Sequence, residues 1–253
     1  MGKVYEDDYR IPGFAGDRYG RAGLANMMNV MLEISERQLE TLHAGMDAIN
    51  EFQAGWVITQ YHMDIQRMPR IEEPLRVGTE ATTYNKFFTY RDYWIDDAQG
   101  QRLVTVNSNW VIMDLRTRKI VDVIPELVER VGAVSDRKIK RFPRLKKITT
   151  PDGQEDFHVR YFDIDSNGHV NNAHYLEWME NSLGYDFLST HTLRGADIRY
   201  EREVAYGTTP VAQYQHDPDD PTKTLHRVVT GEQVNAEAVS YTHLRAHETR
   251  SNL

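Results

Sequence analysis

Hydrophobic residues recur at helical spacing in two places along the chain. Residues 24–42 set Leu24, Met27, Met28, Met31, Ile34, Leu39 and Leu42 near one stripe of a helix, and further on Val170, Ala173, Leu176, Met179, Leu183 and Phe187 do the same. After each helix the period shortens to the alternation of strands. In the first half the strand-like segments are GWVITQYHMDI, PLRVGTEATTY, FFTYRDYWID and QRLVTVNSNWVIMDL, with DAQG at 97–100 as a hairpin turn. In the second half they are LRGADIRYEREVAY, TPVAQYQH, TLHRVVT and QVNAEAVSY, with DPDDP at 217–221 as the break. One long helix followed by four or five consecutive strands, without strand-helix alternation, predicts an α+β fold. In each half an antiparallel sheet carries the helix laid across it.

The two halves share a register. An offset of 148 positions pairs Phe14 with Phe162, Asp17 with Asp165, Gly20 with Gly168, Ala25 with Ala173 and Met31 with Met179, which points to an internal duplication. The stretch YFDIDSNGHVNNAHYLEWME, residues 161–180, then stands out for its polar side chains just ahead of the second helix. Asp165, Asn167 and His169 alternate, so an extended backbone points all three to one side. A helix start also presents unpaired N–H groups, here near Val170 and Asn171, which polarise a carbonyl and hold the oxyanion formed when it is attacked. The competing reading is that Asp and Asn ahead of a helix are caps and turn formers. Against it, the matching positions in the first copy are Asp17, Tyr19 and Arg21, so only the Asp is retained. Capping alone predicts similar polar residues in both copies; a specialised site predicts one equipped copy and one stripped copy.

Composition narrows the chemistry. The chain has 253 residues, 40% hydrophobic and 27% charged, a soluble globular balance with no run long enough to span a membrane. The acidic start MGKVYEDDYR lacks the apolar core of a secretory signal, so a cytoplasmic location is expected. Cysteine is absent, which removes thiolate zinc sites and cysteine nucleophiles. A net charge of −8 argues against nucleic acid as a partner. Positive charge concentrates in the connector SDRKIKRFPRLKKI, where Lys138, Lys140, Arg141, Arg144, Lys146 and Lys147 form either a solvated linker or a docking patch for an acidic partner.

The segment DIDSNGHVNNAHYLEWM is similar to the D-x-N-x-H-V-N-N-x-x-Y signature of the acyl-acyl carrier protein thioesterases of plants and bacteria, and DRYGRAGLANMMNVMLE resembles their first repeat. The resemblance covers about residues 5–241. It implies two tandem hotdog folds, each a long helix wrapped by an antiparallel sheet. The expected division is an acyl-pocket copy at 1–134, a basic linker at 135–150 and a catalytic copy at 151–241. It also implies hydrolysis of fatty acyl thioesters on acyl carrier protein without metal or organic cofactor, with Asp165, Asn167 and His169 at catalytic positions and a further catalytic glutamate at Glu203. The cysteine that follows this glutamate in plant members is Val204 here, so only a carboxylate version of the mechanism remains.

Under this resemblance Val170 and Asn171 would meet the thioester carbonyl, Met27, Met28 and Met31 would line an acyl tunnel, and the connector would receive the acidic carrier. Asp165 either steers His169 or acts as nucleophile. Taken alone, Glu203 belongs to a solvated strand face with Asp197, Arg199 and Glu201, and a bulge or a covering module is needed to bring it to His169. The competing functions are a hotdog hydratase or dehydratase, whose D-x-N-P-x-H spacing differs from Asp165 to His169, and a non-catalytic acyl-binding module. Oligomeric state stays open, a homodimer included. Residues 242–253, THLRAHETRSNL, do not continue the strand alternation and are expected to be foreign to the fold. His243 and His247 within them are not read as metal ligands.

Overall fold

The computed structural model describes residues 2–165 and 167–244, and the chain forms two compact units, residues 1–143 and 144–253. In the first, strand β1 (Val4–Tyr9) precedes a 3-10 turn at Gly13–Ala15 and helix α1 (Leu24–Thr41). There follow the short helix α2 (Met46–Asn50) and the strands β2 (Ala54–Ile65), β3 (Leu75–Tyr84), β4 (Thr89–Asp97) and β5 (Arg102–Asp114). The unit closes with β6 (Ile120–Val121), helix α3 (Pro125–Arg130) and β7 (Val134–Ser135). The main strands pair antiparallel in the order β1-β3-β4-β5-β2, with β6 on β5 and β7 parallel to β3. The α1 stripe is buried as its period requires. Met27, Met28, Met31 and Ile34 are at most 1% exposed, and each contributes about 1.5–3 kcal/mol by leaving water. Leu39 and Leu42 pack on a satellite cluster around Ala81, Tyr84 and Val131. Gly100, at φ +78, takes the left-handed position of the predicted turn and donates its N–H to Asp97 O.

The second unit repeats the plan: β8 (Gly153–Asp156), a 3-10 turn at Tyr161–Asp163, α4 (Asn172–Asn181), α5 (Gly184–Thr190), β9 (His191–Tyr200), β10 (Val211–His216), β11 (Lys223–Thr230) and β12 (Gln233–Leu244). Its sheet runs β9-β12-β11-β10-β8, all antiparallel. The register of the duplication appears in the backbone. The 3-10 turns at 13–15 and 161–163 and the helix starts at Leu24 and Asn172 all sit 148 apart, as do the bridges Gly16↔Ala22 and Ile164↔Val170.

Three expectations change. The second helix is not continuous: Gly184 at φ +80 separates α4 from α5, so Leu183 and Phe187 do not extend the α4 stripe, and Tyr175 and Trp178 join its buried face. Strand β9 ends at Tyr200, and 201–210 leave the sheet. The strand alternation also persists past Tyr241. Thr242, His243 and Leu244 pair with Leu193, Thr192 and His191, and Thr242 is buried. The foreign-tail reading therefore does not begin at Thr242; His247 and the rest of that segment from 245 lie outside the described residues.

The connector is tethered within each unit. Lys140 donates from its backbone N–H to Tyr90 Oη and from Nζ to Thr82 Oγ1, and its ammonium sits 5.2 Å from the Tyr90 ring centroid. Lys146 Nζ pairs with Asp217 at 2.6 Å and Asp219 at 2.7 Å, while Ile148 packs on Leu225 and Val239. Lys147 Nζ lies 3.8 Å from Glu237. The cations at 146 and 147 thus face acids of their own unit, and Lys138, Arg141 and Arg144 are exposed. Among the described residues no helix is long and apolar enough to cross a membrane.

Candidate active site

The polar stretch ahead of α4 folds into a tight loop rather than an extended run. Asp165 N–H donates to His169 O at 2.8 Å and Gly168 N–H to Asp165 O at 3.0 Å, with Gly168 at φ +84. Asp165 Oδ1 accepts the backbone N–H groups of Asn167 at 2.8 Å and His169 at 3.4 Å. The first copy repeats these bonds, with Asp17 Oδ1 accepting from Tyr19 at 2.8 Å and Arg21 at 3.0 Å. The retained aspartate is therefore the loop former in both copies, the turn role Asp fills by bonding backbone ahead of it. In the first copy the Arg21 side chain turns back on Asp17, donating from Nε at 2.8 Å. In the second, the His169 ring reaches away and meets a carboxylate.

That carboxylate is Glu203. His169 Nε2 and Glu203 Oε2 are 3.0 Å apart, with the side chains 28% and 39% exposed, so the pair is in contact and accessible. The strand stops before Glu203, since β9 ends at Tyr200. The N–H groups of Glu201 and Arg202 both donate to Asn235 O, at 2.8 and 3.1 Å, and this lifts residues 201–204 off the ladder toward the loop. Val204 is buried, and its carbonyl accepts the Val170 N–H at 3.1 Å.

That last bond corrects an expectation. The Val170 amide is spent on Val204 O and the Asn171 amide on Asp163 O at 2.9 Å, so neither is an open donor for a substrate carbonyl. Helix α4 begins at Asn172, and Asn171 is its N-cap, the side chain accepting from Ala173 N–H at 2.9 Å. Asn167 is exposed, two residues before His169 on the same loop. Met27, Met28 and Met31 are core residues of the first unit. A polar cavity of about 440 Å³ in the second unit is lined by Lys147, Glu201, Arg202, Gln233, Val234 and Glu237, and its charged walls do not suit an alkyl chain. Among the described residues no three His, Asp or Glu side chains gather as metal ligands.

Two residues to which the sequence reading gave no role support the loop. Asp163 is buried. Burial alone would raise its carboxyl, but the side-chain and backbone donors of Arg160 and the nearby His174 outweigh it and hold the group below its ordinary value. Tyr175, 2% exposed, accepts the Val204 N–H at 2.8 Å. Burial pushes its phenol far above the ordinary range; the Val204 N–H opposes this, and the carboxylates of Glu203 and Asp165 add to it, so the hydroxyl stays neutral.

Two helix-on-sheet units in one chain, the second carrying a His–Glu pair beside the loop ahead of its helix, define a tandem hotdog protein. The Acyl-ACP thioesterase N-terminal domain matches residues 2–131 and the Acyl-ACP thioesterase C-terminal domain matches residues 146–243, and the chain belongs to this family. It is similar to a chloroplastic acyl-[acyl-carrier-protein] hydrolase of Cuphea viscosissima, 24% identical over 217 residues that make up 80% of this chain and 52% of that protein. An oleoyl-acyl carrier protein thioesterase of Arabidopsis thaliana is 22% identical over 80% of this chain and 60% of its own length. The chain thus spans about half the length of the curated relatives it matches. A Lactobacillus plantarum structure described as an oleoyl thioesterase superposes with a TM-score of 0.94 at 36% identity, covering 97% of this chain and 98% of that one. The 12:0-ACP thioesterase of Umbellularia californica shares the fold at a TM-score of 0.83 and 20% identity, over 97% and 99% of the two chains.

Proposed function

We propose that the protein hydrolyses fatty acyl thioesters carried on acyl carrier protein, releasing the fatty acid and the carrier thiol. The 3.0 Å contact between His169 and Glu203 carries this reading. A carboxylate on one side of an imidazole fixes its tautomer and stabilises the imidazolium that forms when it takes a proton. In this scheme His169 removes a proton from water as the water oxygen attacks the thioester carbonyl. The tetrahedral intermediate then expels the thiolate, and the imidazolium returns the proton to sulfur. Glu203 balances the charge throughout. Asn167 orients the water or the carbonyl from the exposed side of the loop. Asp165 shapes the loop, since Oδ1 already accepts two of its N–H groups.

The acyl chain needs an apolar lining, and Met27, Met28 and Met31 are adaptable side chains for that purpose. Lys138, Arg141 and Arg144, exposed on the connector, are the cations offered to an acidic carrier. Hydrolysis of a panel of acyl carrier protein thioesters of graded length, by wild type and Glu203→Gln, tests the assignment. Loss of the carboxylate should lower kcat about 10²–10⁴-fold, the usual contribution of a positioned proton-transfer system. Turnover that ignores the substitution removes Glu203 from the mechanism, and hydration of an enoyl thioester without thiol release favours the hydratase reading instead.

A further inference from the structure

Glu203 sits on a loop, yet a side chain that works on a reaction must be held to within a fraction of an ångström by its surroundings. The holding groups converge on one peptide. Asn235, fully buried, donates from Nδ2 to Glu203 O at 3.2 Å and to Arg202 O at 3.4 Å. On the opposite edge of that peptide group, Val204 N–H donates to Tyr175 Oη at 2.8 Å. Both polar atoms of the 203–204 peptide are therefore bound by buried side chains, one from β12 and one from α4. The next carbonyl, Val204 O, is bound to the catalytic loop through Val170 N–H.

Tyr175 is the unexpected member of this set. Its ring fills the core against Trp178 at 5.5 Å and Tyr200 at 5.4 Å, work that a phenylalanine would do as well. Its hydroxyl makes two contacts, the Val204 N–H and a long one to Arg202 O at 3.5 Å, and these residues flank Glu203 on either side. A buried phenol costs stability unless it is bonded, and among the described residues its bonds go to the Glu203 turn.

We propose that Tyr175 is a positioning residue for Glu203: by accepting the Val204 N–H it sets the rotation of the 203–204 peptide and so aims the Glu203 carboxylate at His169. The inference rests on the reading of Glu203 as part of the reaction. Without the hydroxyl the peptide keeps only its Asn235 side and the carboxylate wanders from the imidazole.

The test is a double-mutant cycle of Tyr175→Phe and Glu203→Gln, followed by steady-state hydrolysis of an acyl carrier protein thioester. Tyr175→Phe alone should lower kcat roughly 10- to 100-fold with KM within about twofold, since small displacements of a reacting group carry penalties of that size. In the Glu203→Gln background the same change should lower kcat no further, because the group it positions is gone. Equal loss in both backgrounds, or wild-type kcat for Tyr175→Phe, overturns the proposal. Wild-type turnover by Glu203→Gln identifies the Glu203 reading as the point of failure and takes the proposal with it. If Tyr175→Phe does not fold, Asn235→Leu loosens the other edge of the same peptide and is held to the same pattern.

Discussion

Acidification should weaken the second unit through one residue. His226 on β11 is 3% exposed; its Nε2 is 2.8 Å from Ser240 Oγ, and among the described residues Nδ1 has no hydrogen-bond partner and no acid is paired with the ring. Burial, with a smaller push from His216, lowers its pKa to about 3, so the folded chain holds it neutral. In the unfolded chain the imidazole titrates near its ordinary value of about 6.5. The unfolded state therefore binds the extra proton, and stability is complete above about pH 6.5, falls as pH drops toward 3, and levels off below. At pH 4.5 the interval crossed is about 2 pH units, which at 1.36 kcal/mol each amounts to about 2.7 kcal/mol. That is a large share of the roughly 5–15 kcal/mol that typically separates folded from unfolded chains. The assay is urea unfolding at pH 7 and pH 4.5 for wild type and His226→Gln, which keeps a polar group opposite Ser240 but cannot titrate. Other titrating groups act in both proteins and cancel. The variant should lose about 2.7 kcal/mol less than wild type between the two pH values, within a factor of two. Equal acid losses in the two proteins would refute the reasoning.

Three further outcomes follow from the loop, the last strand and the connector. Asp165→Asn keeps the Oδ1 acceptor and should retain kcat within about tenfold, whereas Asp165→Ala leaves two loop amides unbonded, costing about 1–3 kcal/mol; abolition of turnover by the Asn variant would make Asp165 a nucleophile instead. Ending the chain after Leu244 should leave the melting temperature unchanged, but ending it after Tyr241 removes three β9-paired residues and should lower it by about 3–6 °C, and calorimetry that separates neither truncation from the full chain would return Thr242–Leu244 to the dispensable tail. Reversing the charge of Lys138, Arg141 and Arg144 together should raise KM for a carrier-borne substrate several-fold while sparing a small acyl thioester; equal effects on both substrates would remove the connector from docking. Lys146 is unsuitable for that experiment because its reversal also breaks the contacts to Asp217 and Asp219.

The sequence by itself determined what depends on neighbours along the chain. The α1 stripe, the strands before and after each turn and the 148-residue register rest on periodicity, whereas the loop-forming role of Asp17 and Asp165, which the sequence offered only as the competing reading, was decided by the backbone bonds in the structure. Residue type at 165, 167 and 169 against 17, 19 and 21 also singled out the second copy, where His169 meets Glu203. Alternation along the strand assigned Glu203 to a solvated face because nothing local marks where β9 ends. It ends because the carbonyl of Asn235, more than thirty residues away, takes two consecutive amides, and only the tertiary structure holds that information. The same separation explains the amides of Val170 and Asn171. A helix start is expected to offer open donors, but Val204 and Asp163 supply acceptors from other parts of the fold. Tyr175 lay in plain view within the polar stretch, yet its ring signals only core packing, and the use of its hydroxyl depends on a loop that the strand pattern did not reveal. Periodicity is a property of one segment, whereas a hydrogen bond between distant segments exists only once both have been placed.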